Sequence, residues 1–412
     1  MRWSLGQRIA FRFGFSYLLL FFFPFPGGLV NPPWLGGVFD RFWGWLVPVL
    51  ASLLGVRLPD SDGGSADSTF CQLTVVAMLL VAALATIVWS IADRRRGEYR
   101  ALFGWSRIWM RYVLAVCMLT YGASKVLMVQ FEPPGYGRLI EPVGQLSPMA
   151  LLWTFMGSST LYTSFSGIIE VLGGLLLFAR RTTTLGALIV AGAMTQVFVL
   201  NLGYDVPVKL GSLHILLLAV VLIGADARRL LDFFVRNRAT EPADLGPALP
   251  WPRAALALKA VLATAFVGYL TWSTVHEYRA HLATREHEPV APDGHYRVAA
   301  FRRDGAVANP ADLPWRNVSL AGARVGIRTV DGTLRRFTAA SDPTRGTAQL
   351  IPEGGGAPIG SIHIELQADG AGHVTGNVDG HAIDAELQRE NPADMPLVHR
   401  GFHWVSEAPY FH

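Results

Sequence analysis

Long apolar runs divide the first two thirds of the chain. They cover residues 10–25, 71–92, 106–130, 160–179, 184–202, 208–224 and 254–275. A membrane-spanning helix needs about 20 predominantly apolar residues, so the pattern predicts about seven transmembrane helices. The first run follows basic residues, as a signal peptide does. Pro24 and Pro26 interrupt it where a small-x-small cleavage site would stand, so it reads as an uncleaved span. A further stretch, 34–55, is apolar and rich in Trp but holds Asp40, Arg41 and Pro48. It reads as an interfacial or re-entrant helix, because Trp favours the headgroup zone.

From about His295 the period changes. Short alternating runs such as "HYRVAAF", "ARVGIRTV" and "IGSIHIEL" are punctuated by Asp-Gly pairs at 304–305, 331–332, 369–370 and 379–380. Alternation with Asp-Gly turns predicts antiparallel hairpins, and hence an all-β barrel or sandwich. The expected organisation is N-terminal helices with the Trp-rich segment (1–105), a helical core (106–235), a cytoplasmic linker with the last span (236–280), and a β domain (281–412).

Composition agrees with a polytopic membrane protein. The chain is 51% hydrophobic and only 16% charged, against about 25% charged in soluble domains. Its net charge of +4 reflects loop arginines rather than nucleic-acid binding. Arg2 and Arg8, "DRRRGEYR" (93–100), Arg180 and Arg181, and Arg228, Arg229, Arg236 and Arg238 all fall on one side of a seven-span topology. The positive-inside rule makes that side cytoplasmic, with the N-terminus, and puts the β domain outside, as in a bacterial inner membrane. The two cysteines, Cys71 and Cys117, form no C-x-x-C motif.

Ionisable groups inside membrane helices are expensive, which singles out a few residues. Glu170 lies mid-span, flanked by Ser166, Gly167, Gly173 and Gly174 on a small-residue face where a neighbouring helix can approach. Lys125 shares a helix face with Tyr121 and Gly122. Asp205 precedes Pro207, which suits the first turn of a helix. Lys209 and His214 follow about 140° apart around the axis, and Asn201 ends the preceding run. Two readings stand. Glu170 pairs with Lys125 or Lys209 and orders the bundle. Alternatively, Tyr121, Lys125, Glu170, Asn201, Asp205, Lys209 and His214 line a polar pocket near the outer leaflet that binds a small polar headgroup or passes protons.

These residues carry a resemblance. "RYVLAVCMLTYGASKVLMVQF", with Arg111, Gly122 and Lys125, and "GIIEVLGGLLLFARRTTTLGALIV", with Glu170, Gly173 and Gly186, precede a last helix ending in "ADARRLL". In this the stretch 106–235 resembles the DoxX-like family of small four-helix membrane proteins. The resemblance implies a four-helix bundle. In some members it implies a membrane subunit of an oxidoreductase system, including thiosulfate:quinone oxidoreductase. This chain adds helices on both sides and the β domain.

Ten of the 11 histidines lie after residue 275. His276, His281, His287 and His295 are spaced unlike a tight zinc site, so no metal site is expected there. The C-terminal "LVHRGFHWVSEAPYFH", with His403 and Trp404, either closes the barrel as an aromatic strand, with Arg400 paired to Glu407, or lines a site facing the membrane mouth, near Asp205 and Lys209. Two functions follow. One is a quinone-linked oxidoreductase subunit whose polar cluster holds a quinone head, whose β domain docks a periplasmic or membrane redox partner, and which carries no cofactor of its own. The other is non-enzymatic: a transporter, or an envelope assembly or scaffold protein binding a lipid or protein partner. Membrane lipids are expected partners of either. A hydrolase is disfavoured by the absence of G-x-S-x-G and H-E-x-x-H.

Overall fold

The computed structural model describes residues 3–23, 33–59, 65–242, 268, 272, 293–309, 314–342, 347–367 and 371–399. They belong to two compact units. One comprises Met1–Leu127 and Ser164–Val267, the other Met128–Thr163 and Gly268–His412.

The helices are α1 (Leu5–Phe22), α2 (Pro33–Leu54), α3 (Thr69–Ala92), α4 (Arg100–Val126), α5 (Tyr136–Leu139), α6 (Pro148–Gly157), α7 (Thr160–Phe178), α8 (Thr183–Gly203), α9 (Lys209–Gly224) and α10 (Ala227–Leu230). Among the described residues, α2, α3, α4, α7 and α8 are each long and apolar enough to cross a membrane. A sixth span results if α9 is joined to the segment Ala227–Val235, from which it is bent by 73°. The expected span 254–275 lies outside the described residues apart from Gly268 and Trp272, both helical. The expected span 10–25 begins earlier, at Leu5, because Ser4 caps the helix: its hydroxyl accepts from the Gln7 amide while the Gln7 side chain accepts from Ser4. With Arg8 and Arg12 inside it, α1 falls short of that apolarity.

The Trp-rich stretch expected at the interface is a continuous helix long enough to span. Its surroundings limit what it does. Trp3 N–H donates to the Gly97 carbonyl and Arg12 reaches Ser90, so α1 and α3 are antiparallel. The chain therefore leaves α1 and enters α3 at one end of the bundle, and α2 lies between those two points. It packs one stripe, Trp43, Val47 and Ala51, into the core. The other end of the bundle gathers the arginines: Arg107 of α4 and Arg229 flank Asp226, which also accepts from Thr184 of α8.

The second unit holds strands β1 (Gly294–Arg303), β2 (Ala306–Val307), β3 (Trp315–Ala321), β4 (Arg324–Thr329), β5 (Leu334–Asp342), β6 (Thr347–Pro352), β7 (Gly360–Leu366), β8 (Ala371–Val378) and β9 (His381–Glu390). Apart from β2, which pairs with β1 alone, they form an antiparallel meander closed by β9 pairing with β1, an eight-stranded barrel. Closure removes the edges that an open sheet would leave to aggregate. Asp304-Gly305 and Asp379-Gly380 both sit at positive φ, the backbone a two-residue hairpin turn requires. The pair 369–370 lies outside the described residues. Inward-facing Tyr296, Phe301, Phe337, Leu350 and Ile362 fill the interior.

Residues 128–163, expected within the helical core 106–235, group with the barrel in one compact unit. Glu141 accepts from Arg138 of α5 at 2.6 Å and from Arg336 of β5 at 2.5 Å, and its carboxylate is buried. A Cβ on Gly137 would lie 3.5 Å from Ser319 Oγ of β3. β9 closes the barrel on β1, and Pro396–His399 forms a helical turn; the rest of the C-terminal segment, expected as a closing strand, lies outside the described residues. Arg400, His403, Trp404 and Glu407 lie outside the described residues.

Candidate functional site

Glycines set the geometry around Glu170. A Cβ on Gly122 of α4 would stand 2.7 Å from the Gly167 carbonyl oxygen, and one on Gly167 would stand 2.6 Å from the Gly122 carbonyl oxygen. Only hydrogen at both positions lets α4 and α7 come this close. One turn further along each helix, Lys125 Nζ donates to both Glu170 oxygens, at 2.8 and 2.7 Å. Both side chains are buried. At the far end of the same contact, Arg111 donates from Nε and Nη2 to the Leu177 carbonyl at 3.0 and 2.9 Å, and from Nη2 to Phe178 at 3.1 Å. These are C-terminal carbonyls of α7, which lack partners within their own helix. Two cationic clamps thus bracket a glycine seam. Tyr121 is not enclosed with them: it is 42% exposed, with Lys125 Nζ 6.0 Å from its ring centre, the outer limit of a cation–π contact.

The other predicted residues separate into pairs of their own. Asn201 Nδ2 donates to Ser212 Oγ at 3.0 Å, joining α8 to α9. Asp205 does not begin a helix. It stands in the preceding turn at φ +51, exposed, and accepts from Lys209 Nζ at 2.8 Å. The N-terminus of α9 is capped instead by Asp67, whose carboxylate accepts from the Lys209 and Leu210 amides at 2.6 and 2.9 Å. A carboxylate at this end also meets the positive pole of the helix dipole.

His214 faces α1. Its Nδ1 lies 2.7 Å from the Leu210 carbonyl oxygen, which can only accept, so Nδ1 carries the proton. Nε2 is then an acceptor, and the Tyr17 hydroxyl 2.5 Å away donates to it. Phe21 stacks flat on the imidazole at 3.6 Å. Lys209, 2.8 Å from Asp205 and 3.8 Å from Asp67, faces elsewhere.

Arg12 is a buried group the loop-by-loop charge count passes over. It is 1% exposed, and donates to the Tyr99 hydroxyl from Nε and Nη2, to Ser90 Oγ at 2.7 Å and to the Asp93 carbonyl at 3.1 Å. An arginine inside the apolar run "FRFGFSYLLL" is its signal in the sequence. Asp67 has no such signal, because its partner is 142 residues away.

The barrel reverses this placement. Its polar groups face outward: His373 pairs with Asp384 at 2.9 Å, His381 with Asp304 at 2.7 Å, and Arg335 with Asp379 at 2.6 Å. Those bonds hold the Asp304 and Asp379 carboxyls below the usual range. His295, like Ser319, is buried: its Nδ1 lies 3.5 Å from a Glu390 carboxylate oxygen, and burial lowers its pKa. Among the described residues no group of three or more His, Cys, Asp or Glu is placed to hold a metal ion.

No family model matches this chain, and no solved structure does. The chain is similar to the uncharacterised protein YwoB of Bacillus subtilis (strain 168), 29% identical over 126 residues, 30% of this chain and 79% of that protein.

Proposed function

We propose that this chain is a multi-pass membrane scaffold of the non-enzymatic kind, which displays an extracytoplasmic barrel to a protein partner of the cell envelope. The observation that carries this reading is the pairing of the buried polar groups. Lys125 is matched to Glu170, Arg111 to the end of α7, Asn201 to Ser212, and His214 to Tyr17 and Leu210. Such pairing orders a bundle and commits these groups to one another rather than to a substrate. The barrel interior is filled, so its polar outer wall is the surface a partner would meet. The gathering of arginines at one bundle end supports a cytoplasmic N-terminus and a bacterial inner membrane.

Incorporating a photo-crosslinking residue at His373 of the full-length protein in cells tests this. A discrete adduct from the wall, absent when the residue replaces inward-facing Val374, supports the scaffold. Equal labelling at both positions, or none at either, sinks it.

A second reading is the quinone-linked subunit that the DoxX-like resemblance implies. The Tyr17–His214 pair favours it, since a hydroxyl–imidazole couple, here stacked by Phe21, can relay a proton. On this reading Tyr17→Phe and Glu170→Gln abolish partner-dependent quinone reduction in nanodiscs, and unchanged turnover in both removes it.

A further inference from the structure

Alternation along β1 and β3 sends Tyr296, Val298, Val318 and Leu320 into the barrel core and leaves His295 and Ser319 on the outer wall. Yet these two are only 1% and 4% exposed. The docked segment covers them. A Cβ on Gly137 of α5 would stand 3.5 Å from Ser319 Oγ, and Ser319 is the cross-strand partner of His295. The wall beneath is kept low: Gly326 of β4 pairs with Ser319, and a Cβ there would collide with its hydroxyl oxygen. Further along, Pro142 and Gln145 come within 3.7 Å of where a Cβ on Gly332 would stand, and Glu141 holds Arg336 of β5. Residues 136–145 thus lie as a strap across β1, β3 and the β4–β5 hairpin.

The strap seals in a titratable ring. Neither nitrogen of His295 has a hydrogen-bond partner among the described residues. Glu390 of β9 approaches Nδ1 to 3.5 Å without hydrogen-bonding geometry, and it also attracts Arg297 Nε at 3.5 Å. Arg328 of β4 opposes a charge on the ring. The facing positions of β3 are Asn317 and Ser319, both uncharged. From α5 come Tyr136 and Arg138, and Arg138 is bound to Glu141. An imidazolium enclosed here lacks hydrogen-bond acceptors, whereas a hydrated one has water. Burial accordingly lowers the pKa of His295 from 6.5. By linkage, the undocked strap, which hydrates the ring, binds the proton more tightly than the docked one, so acid favours release. The barrel core is filled from the inward faces and does not depend on the strap.

We propose that residues 136–145 form an acid-released strap with His295 as the proton-sensing group beneath it: protonation of the ring drives α5 off the wall while the barrel stays closed.

The test is hydrogen–deuterium exchange of the full-length protein in nanodiscs, read by mass spectrometry from about pH 7.5 to about pH 5.5, with labelling times scaled for the chemical rate of exchange. Below pH 6.5, peptides spanning 136–145 are expected to lose protection by up to about tenfold per pH unit, the limit for one linked proton, while peptides of β6 keep theirs. His295→Gln keeps a neutral polar side chain and should abolish the response with the strap still docked at neutral pH. Glu390→Gln is the second variant, in case the first fails to fold, since the Glu390 side chain is 37% exposed. Removing the carboxylate that favours the charged ring should raise release at the acid end about threefold over wild type. Protection of 136–145 that does not change with pH overturns the proposal, as does unchanged release in Glu390→Gln. So does loss of protection in β6 in step with the strap, which would be unfolding of the barrel. A full acid response in His295→Gln overturns it too, and would place the trigger at Glu141.

Discussion

Lys125 meets Glu170 with two hydrogen bonds inside the helical bundle, and Arg335 meets Asp379 with two on the outer wall of the barrel. The motif is the same and its consequence is opposite. The wall pair is 37% and 46% exposed, so water already solvates both partners and the bond adds little. The bundle pair is 6% and 2% exposed, and each charge depends on the other. The apolar side chains invert in step. The barrel hides Leu350 and Phe337 and shows its charges, whereas the helices show Leu161, Phe165 and Leu175 and hide theirs. Hydrocarbon gives no hydrophobic drive between helices, so glycine contacts and matched charges do the joining. Water gives that drive, so apolar filling joins the strands.

Breaking the bundle pair is the strongest test of this contrast. Lys125→Met strands a buried carboxylate and should cost about 3–5 kcal/mol, while Lys125→Met combined with Glu170→Leu should recover most of it. Thermal unfolding in nanodiscs measures both, and a double variant no better than the single would mean that the charges do more than match. In the barrel the comparable injury is apolar: Leu350→Ala at a fully buried position should cost about 2–5 kcal/mol. The docked segment comes next. Arg336→Ala removes a charged partner of buried Glu141 and should cost about 1–3 kcal/mol, with faster amide exchange in residues 136–145 if α5 loosens before the barrel does.

A smaller effect belongs to His295. Burial lowers its pKa from 6.5, against the opposing pull of Glu390 and alongside the repulsion of Arg328. Above pH 6.5 the ring is neutral folded or unfolded, and stability is unaffected. Below it the unfolded chain binds the proton first, so stability falls with acidification until the folded ring protonates as well. His295→Leu should flatten this segment of a pH–melting curve. The carboxyls of Asp304 and Asp379, held below 3.8, act in a separate, more acidic window. Least of all, Arg335→Ala should change stability by roughly 0.2–1 kcal/mol, and by less in high salt.

Periodicity exposes what is local. The apolar runs mark α3, α4, α7 and α8, and the Asp-Gly pairs mark turns of the barrel, because both signals lie within a few residues of what they cause. Glu170 and Lys125 stand out for the same reason, as charges in apolar surroundings. Pairing across long separations leaves no such mark. Asp67 capping α9, Glu141 meeting Arg336, and β9 closing on β1 depend on residues brought together by the whole fold. The Trp-rich helix α2 is ambiguous on different grounds, since interfacial and spanning helices share its length and composition. The candidate site was legible as a set of residues and, for Glu170, as a choice between Lys125 and Lys209, of which the structure has Lys125; the other pairs were not legible.

Closure of the barrel has a mechanical side. His295, at the start of β1, lies opposite Glu390, at the end of β9. Chain enters and leaves the ring at neighbouring points on one rim. A load applied between the leading segment and the segment after β9 therefore peels this seam apart one ladder bond at a time, where a load along the strands would shear many bonds together. The seam is the zip of the domain, and its rim is where tension from a tethered partner would first be felt.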